Sequence, residues 1–562
     1  MARTASKAQA NERLADIWSM PVADVLIVGG GINGLATFRD LALQGVSVAL
    51  VERKDFCSGA SAASSHMIHG GVRYLENGEL RLVRESLQER NRLLAAAPHY
   101  VRPLKTTIPI YSVISGLLAA PLRLLTHTQG KPKERGALLI KIGLVIYDLF
   151  GRDGGKMPRH TFLGRKKSLE QLPHLDPYVK FTATYYDAAM ENPERLALDV
   201  LKDALGAGAH ARAANYVSAV GFRDGAVILR DELTGNEIPF TAKVIVNASG
   251  PWTDLTNAAF GTPTHYMGGT KGSHIVLDNP ELFAACDGRE IFFENSDGRI
   301  VLMYPIENRV LVGTTDIPVD MTSDVSCTDE EVDYFFRLVQ RVFPNVETHH
   351  SQIVYRYSGV RPLPASEDTN PGVVSRDYRI VQTHLGDQTP LLSLVGGKWT
   401  TFRALGEHLA NEVMALLSWK RKTSTESLSI GGGHGFPLTA EGRSAWVNSH
   451  ASSVSHERGE QLLVRYGTFA AAIIDDLEGS GDEALKNHEA YSAGEISWLV
   501  RNEWVVSLSD LVHRRTSMAF SGSLSKKLLA ELAQLMAPLL GWSAGDVQKQ
   551  IKTIALEEGS ST

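Results

Sequence analysis

DVLIVGGGINGLATFRDLALQGVSVALVE, residues 24–52, decides the fold of this chain. DVLIV is a short apolar run of strand type, ATFRDLALQG reads as a helix closed by Gly45, and VSVALVE is a second strand ending on Glu52. Between strand and helix stand Gly29, Gly31 and Gly34 in G-x-G-x-x-G spacing, with Asn33 inside the turn. Gly29 makes the tight turn, Gly31 lets backbone approach a pyrophosphate, and Gly34 lets the helix pack closely on the strand. The helix start offers N–H groups and a positive dipole end to phosphates. Glu52, about 20 residues further on, is placed to accept hydrogen bonds from a ribose. A lone glycine motif would say little, but strand, turn, helix, strand and acid in order specify a dinucleotide site.

Distant segments decide which dinucleotide. CSGASAASSHMIHGGVRYLE follows Glu52 and is dense in small residues and hydroxyls, as expected of a loop wrapping a long cofactor. AKVIVNASGPW is another strand entering a small-residue turn, and LLSLVGGKWTTFRALGEHLANEVMALL repeats strand, double glycine and helix. Strand-to-glycine turns near 28, 248 and 395 suit FAD better than NAD. The cofactor set is therefore Gly29, Gly31, Asn33, Gly34, Glu52, Ser64, Ser65, His69, Gly70, Gly250, Gly397 and Lys398.

Composition excludes several classes. With 43% hydrophobic and 21% charged residues over 562 positions, the chain buries large cores, and its length suggests two to four domains. A net charge of -6 gives no general pull toward nucleic acid. Cys57, Cys286 and Cys327 are too few and too scattered for a disulfide framework or a zinc site, and no metal is expected. The first 20 residues lack a signal-type apolar core and read as a flexible or weakly helical arm. No apolar run is long enough to span a bilayer. Within 112–150, Leu138, Leu139, Ile142, Val145, Ile146 and Leu149 recur at helical spacing, near Arg123, Lys131, Lys133 and Arg135. That stripe fits either a core helix or a lipid interface.

The set GGGINGLATFRDLALQG, SSHMIHGGVRYLE, NASGPW, KGSHIV, GTTD, YSGVRPL, SRDY and GGKWTTFR resembles the FAD-dependent glycerol-3-phosphate dehydrogenases of respiratory type. The resemblance runs from about 22 to 415 and resumes in EISWLVRNEWVVSLSDLVHRRTSM, residues 495–518, which resembles that family's helical C-terminal domain. It implies non-covalent FAD, oxidation of sn-glycerol 3-phosphate to dihydroxyacetone phosphate, electron delivery to quinone, and peripheral attachment to the cytoplasmic membrane face. A homodimer is left open. The same fold could act on another phosphorylated polyol such as erythritol phosphate, or use oxygen as acceptor. At the position after the paired serines, where the family often has Lys, this chain has His66, which would make a cation there pH-dependent. The 112–137 segment reads as an insertion relative to shorter bacterial members.

Residue chemistry agrees with a phosphorylated alcohol. A phosphate dianion demands fixed cations, and Arg361 in SGVRPL, Arg376 in SRDY and Lys398 in GGKW stand in short motifs beside apolar strands. Hydride removal to flavin N5 needs a base for the hydroxyl proton. His274 in KGSHIV and His69 in MIHGG are the side chains of the right type, and the resemblance places His274 near the substrate. Arg361 could instead stabilise a developing alkoxide. Tyr74 and Thr315 (or Thr314) are hydroxyls expected around substrate or flavin, and Lys398 would stabilise reduced flavin. The expected architecture is α/β: a Rossmann-like FAD domain of the glutathione-reductase or D-amino-acid-oxidase type at 22–105, 190–260 and 355–415. A mixed-sheet substrate domain is expected at 106–189 and 261–354, a linker at 431–442, and an all-helical C-terminal domain at 430–555.

Overall fold

The computed structural model describes residues 8–72, 80–113, 136–152, 157–295, 300–365, 377–386, 388–451 and 453–557. The opening stretch folds as read: strand Val22–Val28, helix Ile32–Leu43 and strand Val48–Glu52. The two strands run parallel, with Val28 opposite Val51. Val25 and Ile27 face the layer that holds Leu35 and Phe38 of the helix. Leu26 and Val28, on the other face, pack with Val227 and Phe240. Two-sided burial explains why this strand reads as a continuous apolar run.

Among the described residues the first sheet runs Arg379–Leu385, Thr389–Val395, Glu237–Asn247, Val22–Val28, Val48–Glu52, Ala211–Asn215, with a hairpin of Val217–Arg223 and Ala226–Asp231 on Glu237–Asn247. The second sheet runs Ile317–Pro318, Met267–Leu277, Arg309–Gly313, Ile300–Ile306, Glu290–Glu294, Val101–Ile110, Phe181–Met190, Met67–Ile68. Strand Ile353–Pro364 joins that second sheet, paired antiparallel to Met267–Leu277 along its length. The cofactor boundary expected at 355 therefore cuts through a strand of the substrate sheet. Its sequence, IVYRYSGVRPLP, carries no mark of which sheet it pairs with.

The N-terminal arm is helical over Ala8–Ser19. C-terminal helices from Ala440–His450 to Ala544–Glu557 enclose their own core, including Leu462, Ile473, Leu499, Leu511 and Leu532. Gly431–Gly433, expected to be linker, is a buried turn. Gly431 and Gly432 donate backbone hydrogen bonds to Asp203 and Asp199, and a Cβ on Gly433 would lie 2.3 Å from the Ala96 carbonyl. Glycine here permits close packing rather than mobility.

Glu290 sits in the second sheet opposite Thr106, fully buried, and accepts the Thr106 hydroxyl at 2.7 Å. Burial pushes its carboxyl up to about 8 from 4.5. The folded state thus keeps a proton that the unfolded chain releases, so this contribution to stability is whole below 4.5 and drains as pH rises through 8. The slope is about 1.4 kcal/mol per pH unit. Glu290→Gln is expected to lose less melting temperature than wild type between pH 6 and 9. Parallel melting curves would remove Glu290 from that role.

Candidate active site

Two regions meet here, a nucleotide cavity and a substrate-side sheet face. The cavity, of about 360 Å³, is lined by Gly29, Gly31, Glu52, Arg53, Ser61, Ser249, Gly250 and Trp252 among others. Gly29 has φ +116°, and a Cβ there would lie 2.5 Å from the Ala248 carbonyl oxygen. On Gly34 a Cβ would lie 2.0 Å from the Gly29 carbonyl oxygen. Turn, helix and the 248–250 loop are in contact only because both positions lack side chains. Glu52 accepts N–H bonds from Gly30 at 2.7 Å and Lys54 at 2.9 Å, and burial raises its pKa.

Ser61 is a residue that the sequence reading missed. Its hydroxyl accepts the Ile32 N–H at 3.0 Å, at the start of the helix, while its carbonyl accepts Trp399 Nε1–H at 2.9 Å. It thereby joins the first glycine turn to the GGKW turn. Gly397 lies against Asn33, whose buried Oδ1 has no hydrogen-bond partner among the described residues. An extended cofactor with hydroxyl donors fits that orphan acceptor and this run of glycine turns, and Glu52, Asn33, Gly31 and Gly250 are the residues that would hold it. The Lys398 ammonium is buried beside these glycines and close enough to Glu85 to oppose the rise in its pKa.

On the substrate side, pairing of Met267–Leu277 with Ile353–Pro364 sets His274 opposite Tyr357 and Thr270 opposite Arg361. The His274 ring stacks on Tyr357, with centroids 4.9 Å apart and planes at 13°. Its Nε2 lies 2.9 Å from Ser65 Oγ, a contact across 209 residues, and its Nδ1 has no partner among the described residues. Burial first, then the Arg361 charge and His66, hold its pKa well below 6.5, so the imidazole is neutral. Gly272, one strand pair along, leaves room for the Arg361 guanidinium. Arg361 donates to Thr314 Oγ1 at 2.8 Å and to the Thr315 carbonyl at 3.1 Å, and pairs with Asp316 at 3.2 Å. Its side chain keeps 22% exposure, so the cation is both oriented and accessible.

Beneath this face Glu331 gathers the Lys271 ammonium, the Ser273 and Thr315 hydroxyls and the Thr328 N–H, all within 2.9 Å. Burial alone would raise its pKa, but those donors hold it below the ordinary value. It ties the strand bearing His274 to the 314–316 turn. The readable signal was Thr328-x-x-Glu331, a capping box opening helix Asp329–Val342.

Several sequence expectations are corrected. Thr315 is buried, and its hydroxyl is spent on Glu331 and the Ser273 N–H, so Thr314 is the threonine whose hydroxyl meets Arg361. Gly70 gives its N–H to Tyr147 Oη and Asp187, and a Cβ would lie 2.4 Å from Leu87, which makes it a packing glycine. His66 is no pH-dependent cation: stacked on Phe520 at 4.6 Å, it is pushed by burial down to about 4. Ser65 points to His274, while the Ser64 carbonyl accepts from Tyr357 and its hydroxyl from the His66 N–H. His69 is tied through its backbone to Thr400. Tyr74 and Arg376 lie outside the described residues.

Residues 24–411 match the family described as FAD dependent oxidoreductase. The chain belongs to that family. Residues 423–547 of this flavoprotein match the C-terminal domain of alpha-glycerophosphate oxidase. It is 31% identical to a glycerol-3-phosphate dehydrogenase of Synechocystis over 94% of this chain and 95% of that one, which sets it in the glycerol-3-phosphate dehydrogenase group. A D-erythritol 1-phosphate dehydrogenase of Brucella abortus is 32% identical over 88% of this chain and 94% of its own. In fold it is similar to the FAD-complexed glycerol-3-phosphate dehydrogenase of Bacillus halodurans, with a TM-score of 0.75, 23% identity, and coverage of 98% and 97% of the two chains. FAD is its cofactor, and it is an oxidoreductase.

Proposed function

We propose that this enzyme oxidises sn-glycerol 3-phosphate to dihydroxyacetone phosphate and passes the electrons to a quinone at a membrane surface. The observation that supports this best is the accessible Arg361 beside the buried neutral His274 on one sheet face. FAD, when bound, supplies the acceptor for the electron pair leaving the alcohol carbon. His274 takes the hydroxyl proton, a role open to a neutral imidazole, and Ser65 holds the ring in place through Nε2. Arg361, steadied by Asp316 and Thr314, provides the planar donor fork for an anionic group on the substrate.

The test is anaerobic mixing of purified holoenzyme with sn-glycerol 3-phosphate while following flavin absorbance. Prompt bleaching, reversed by a quinone analogue and only slowly by air, is the expected result. Bleaching by D-erythritol 1-phosphate alone would replace the substrate and keep the chemistry, a reading that the Brucella relative makes worth the control. Reoxidation as fast in air as with quinone would replace the acceptor.

Arg361→Met is expected to raise KM for the phosphorylated substrate about ten- to a hundred-fold, from losing roughly 1.5–3 kcal/mol of charged hydrogen bonding. Unphosphorylated glycerol should be affected far less. Equal effects on both substrates would remove Arg361 from phosphate binding.

Membrane attachment is assigned to helix Ala137–Gly151. Its inner face buries Ile140, Leu144 and Tyr147, and Tyr147 bonds Asp187 and Gly70. Its outer face leaves Leu138, Ile142, Val145 and Leu149 between 47% and 77% exposed. The basic residues expected beside this stripe, among 114–135, lie outside the described residues. No described helix is long and apolar enough to cross a membrane, so contact would be interfacial. Ile142→Glu with Leu149→Glu is expected to cut vesicle binding at least about tenfold, since each apolar side chain contributes about 1.5–3 kcal/mol on burial. Dye-linked turnover should persist. Co-sedimentation with vesicles at wild-type level would rule the face out.

A further inference from the structure

The loop that follows Glu52 is held from two sides. Toward the cofactor, the Cys57 N–H bonds the Gly30 carbonyl at 2.9 Å, Gly30 N–H bonds Glu52, and a Cβ on Gly30 would lie 2.9 Å from Phe56. Glu52, Arg53, Lys54 and Ser58 line the nucleotide cavity. Toward the C-terminal domain, Asp55 is 1% exposed and receives Arg515 Nη1 at 2.6 Å, Arg515 Nη2 at 2.8 Å and Arg514 Nε at 2.5 Å. Arg514 also pairs with Asp510 at 2.7 Å, and Asn215 bridges Asp55 to the Trp504 carbonyl. The Trp504 ring meets Phe56 edge-on at 6.0 Å.

We propose that the C-terminal helical domain is a clamp on the FAD-binding loop, acting through Arg514 and Arg515 on Asp55, so that cofactor retention depends on that domain. These arginines are positioning residues. A bidentate, desolvated carboxylate is geometrically exacting, and removing one partner strands the other charges in a dry site. Burial would by itself raise the Asp55 pKa, yet the two guanidiniums hold it at about 2, so the grip persists across the working pH range. Because coupling is reciprocal, FAD must steady the 508–516 segment as much as that segment steadies FAD. The inference needs FAD alone and is independent of the substrate.

The holoenzyme tests it directly. FAD release, followed by flavin fluorescence after dilution, is expected to be at least about tenfold faster in Asp55→Asn, which takes the paired carboxylate from buried Arg515 and one of two from Arg514. Arg515→Lys should fall between that variant and wild type. Glu495→Gln weakens a buried ion network inside the C-terminal domain, with Arg458 and Arg465, away from Asp55, and should release FAD near the wild-type rate. In wild type, amide exchange across 508–516 should slow when FAD is added to the apoprotein, a measurement that needs no variant. Wild-type release from Asp55→Asn, release matching that of Glu495→Gln, or exchange at 508–516 indifferent to FAD would each overturn the clamp.

Discussion

Gly34→Val is expected to yield a folded protein that carries almost no flavin. A Cβ at 34 would sit 2.0 Å from the Gly29 carbonyl oxygen and 3.4 Å from the Ala248 side chain. The first contact is with backbone, so no rotamer change relieves it, and helix Ile32–Leu43 must move off strand Val22–Val28. It cannot move freely, because Gly406 of helix Phe402–Leu416 already lies against Ala36 on the same helix. The displacement would pull Gly31 and Asn33 away from the cavity and remove the close backbone approach that a pyrophosphate needs at Gly31. The fold should survive, since overpacking costs about 1–3 kcal/mol. Gly225→Ala is the contrast: in the turn between Val217–Arg223 and Ala226–Asp231, outside the cavity lining, φ is +76° but the space is open, so its cost is about 1–2 kcal/mol of backbone strain and flavin should remain. Flavin-to-protein ratio after gel filtration checks both. A stoichiometric flavin content in Gly34→Val would mean the glycine is not required for cofactor binding.

Much of this was readable because the cofactor turn is local. Strand, three glycines, helix and Glu52 span 29 residues, and every constraint on them is set by short-range geometry. What the sequence hid depends on sheet pairing. Ser65 meets His274 although five strands lie between Met67–Ile68 and Met267–Leu277 in the order of the second sheet, and nothing near residue 65 announces residue 274. Thr314 and Thr315 are adjacent, and the choice of which faces the site rests on the position of Glu331, 16 residues beyond Thr315. His66 shows the limit from another side: a histidine standing where a lysine is usual suggested a titrating cation, whereas stacking on Phe520, from the C-terminal region, makes it part of a dry interior. The stripe on helix Ala137–Gly151 carried two readings because an amphipathic period marks a face without naming what covers it. There the apolar residues continue round the helix, so one set is core and another is exposed.

His274→Asn is expected to lower kcat by about 10²–10⁴, the usual share of a positioned general base. The flavin should stay bound and KM should change little, because the residue's described contacts are Ser65 and Tyr357 and not the nucleotide cavity. The pH profile separates a base from a structural imidazole. Burial and the Arg361 charge disfavour the protonated ring, so the wild-type rate should stay level through neutral pH and fall only well below 6.5. Arg361→Met removes the second of those causes, so the acid limb should move up toward 6.5 while remaining below it, because burial is untouched. A bystander histidine would leave the limb where it was. Ser65→Ala adds a finer distinction: losing the partner of Nε2 loosens the orientation of the ring, and kcat should fall while KM holds. A loss below about tenfold in His274→Asn would assign the proton to another group, and would leave Arg361, as stabiliser of a developing alkoxide, with the larger share of the chemistry.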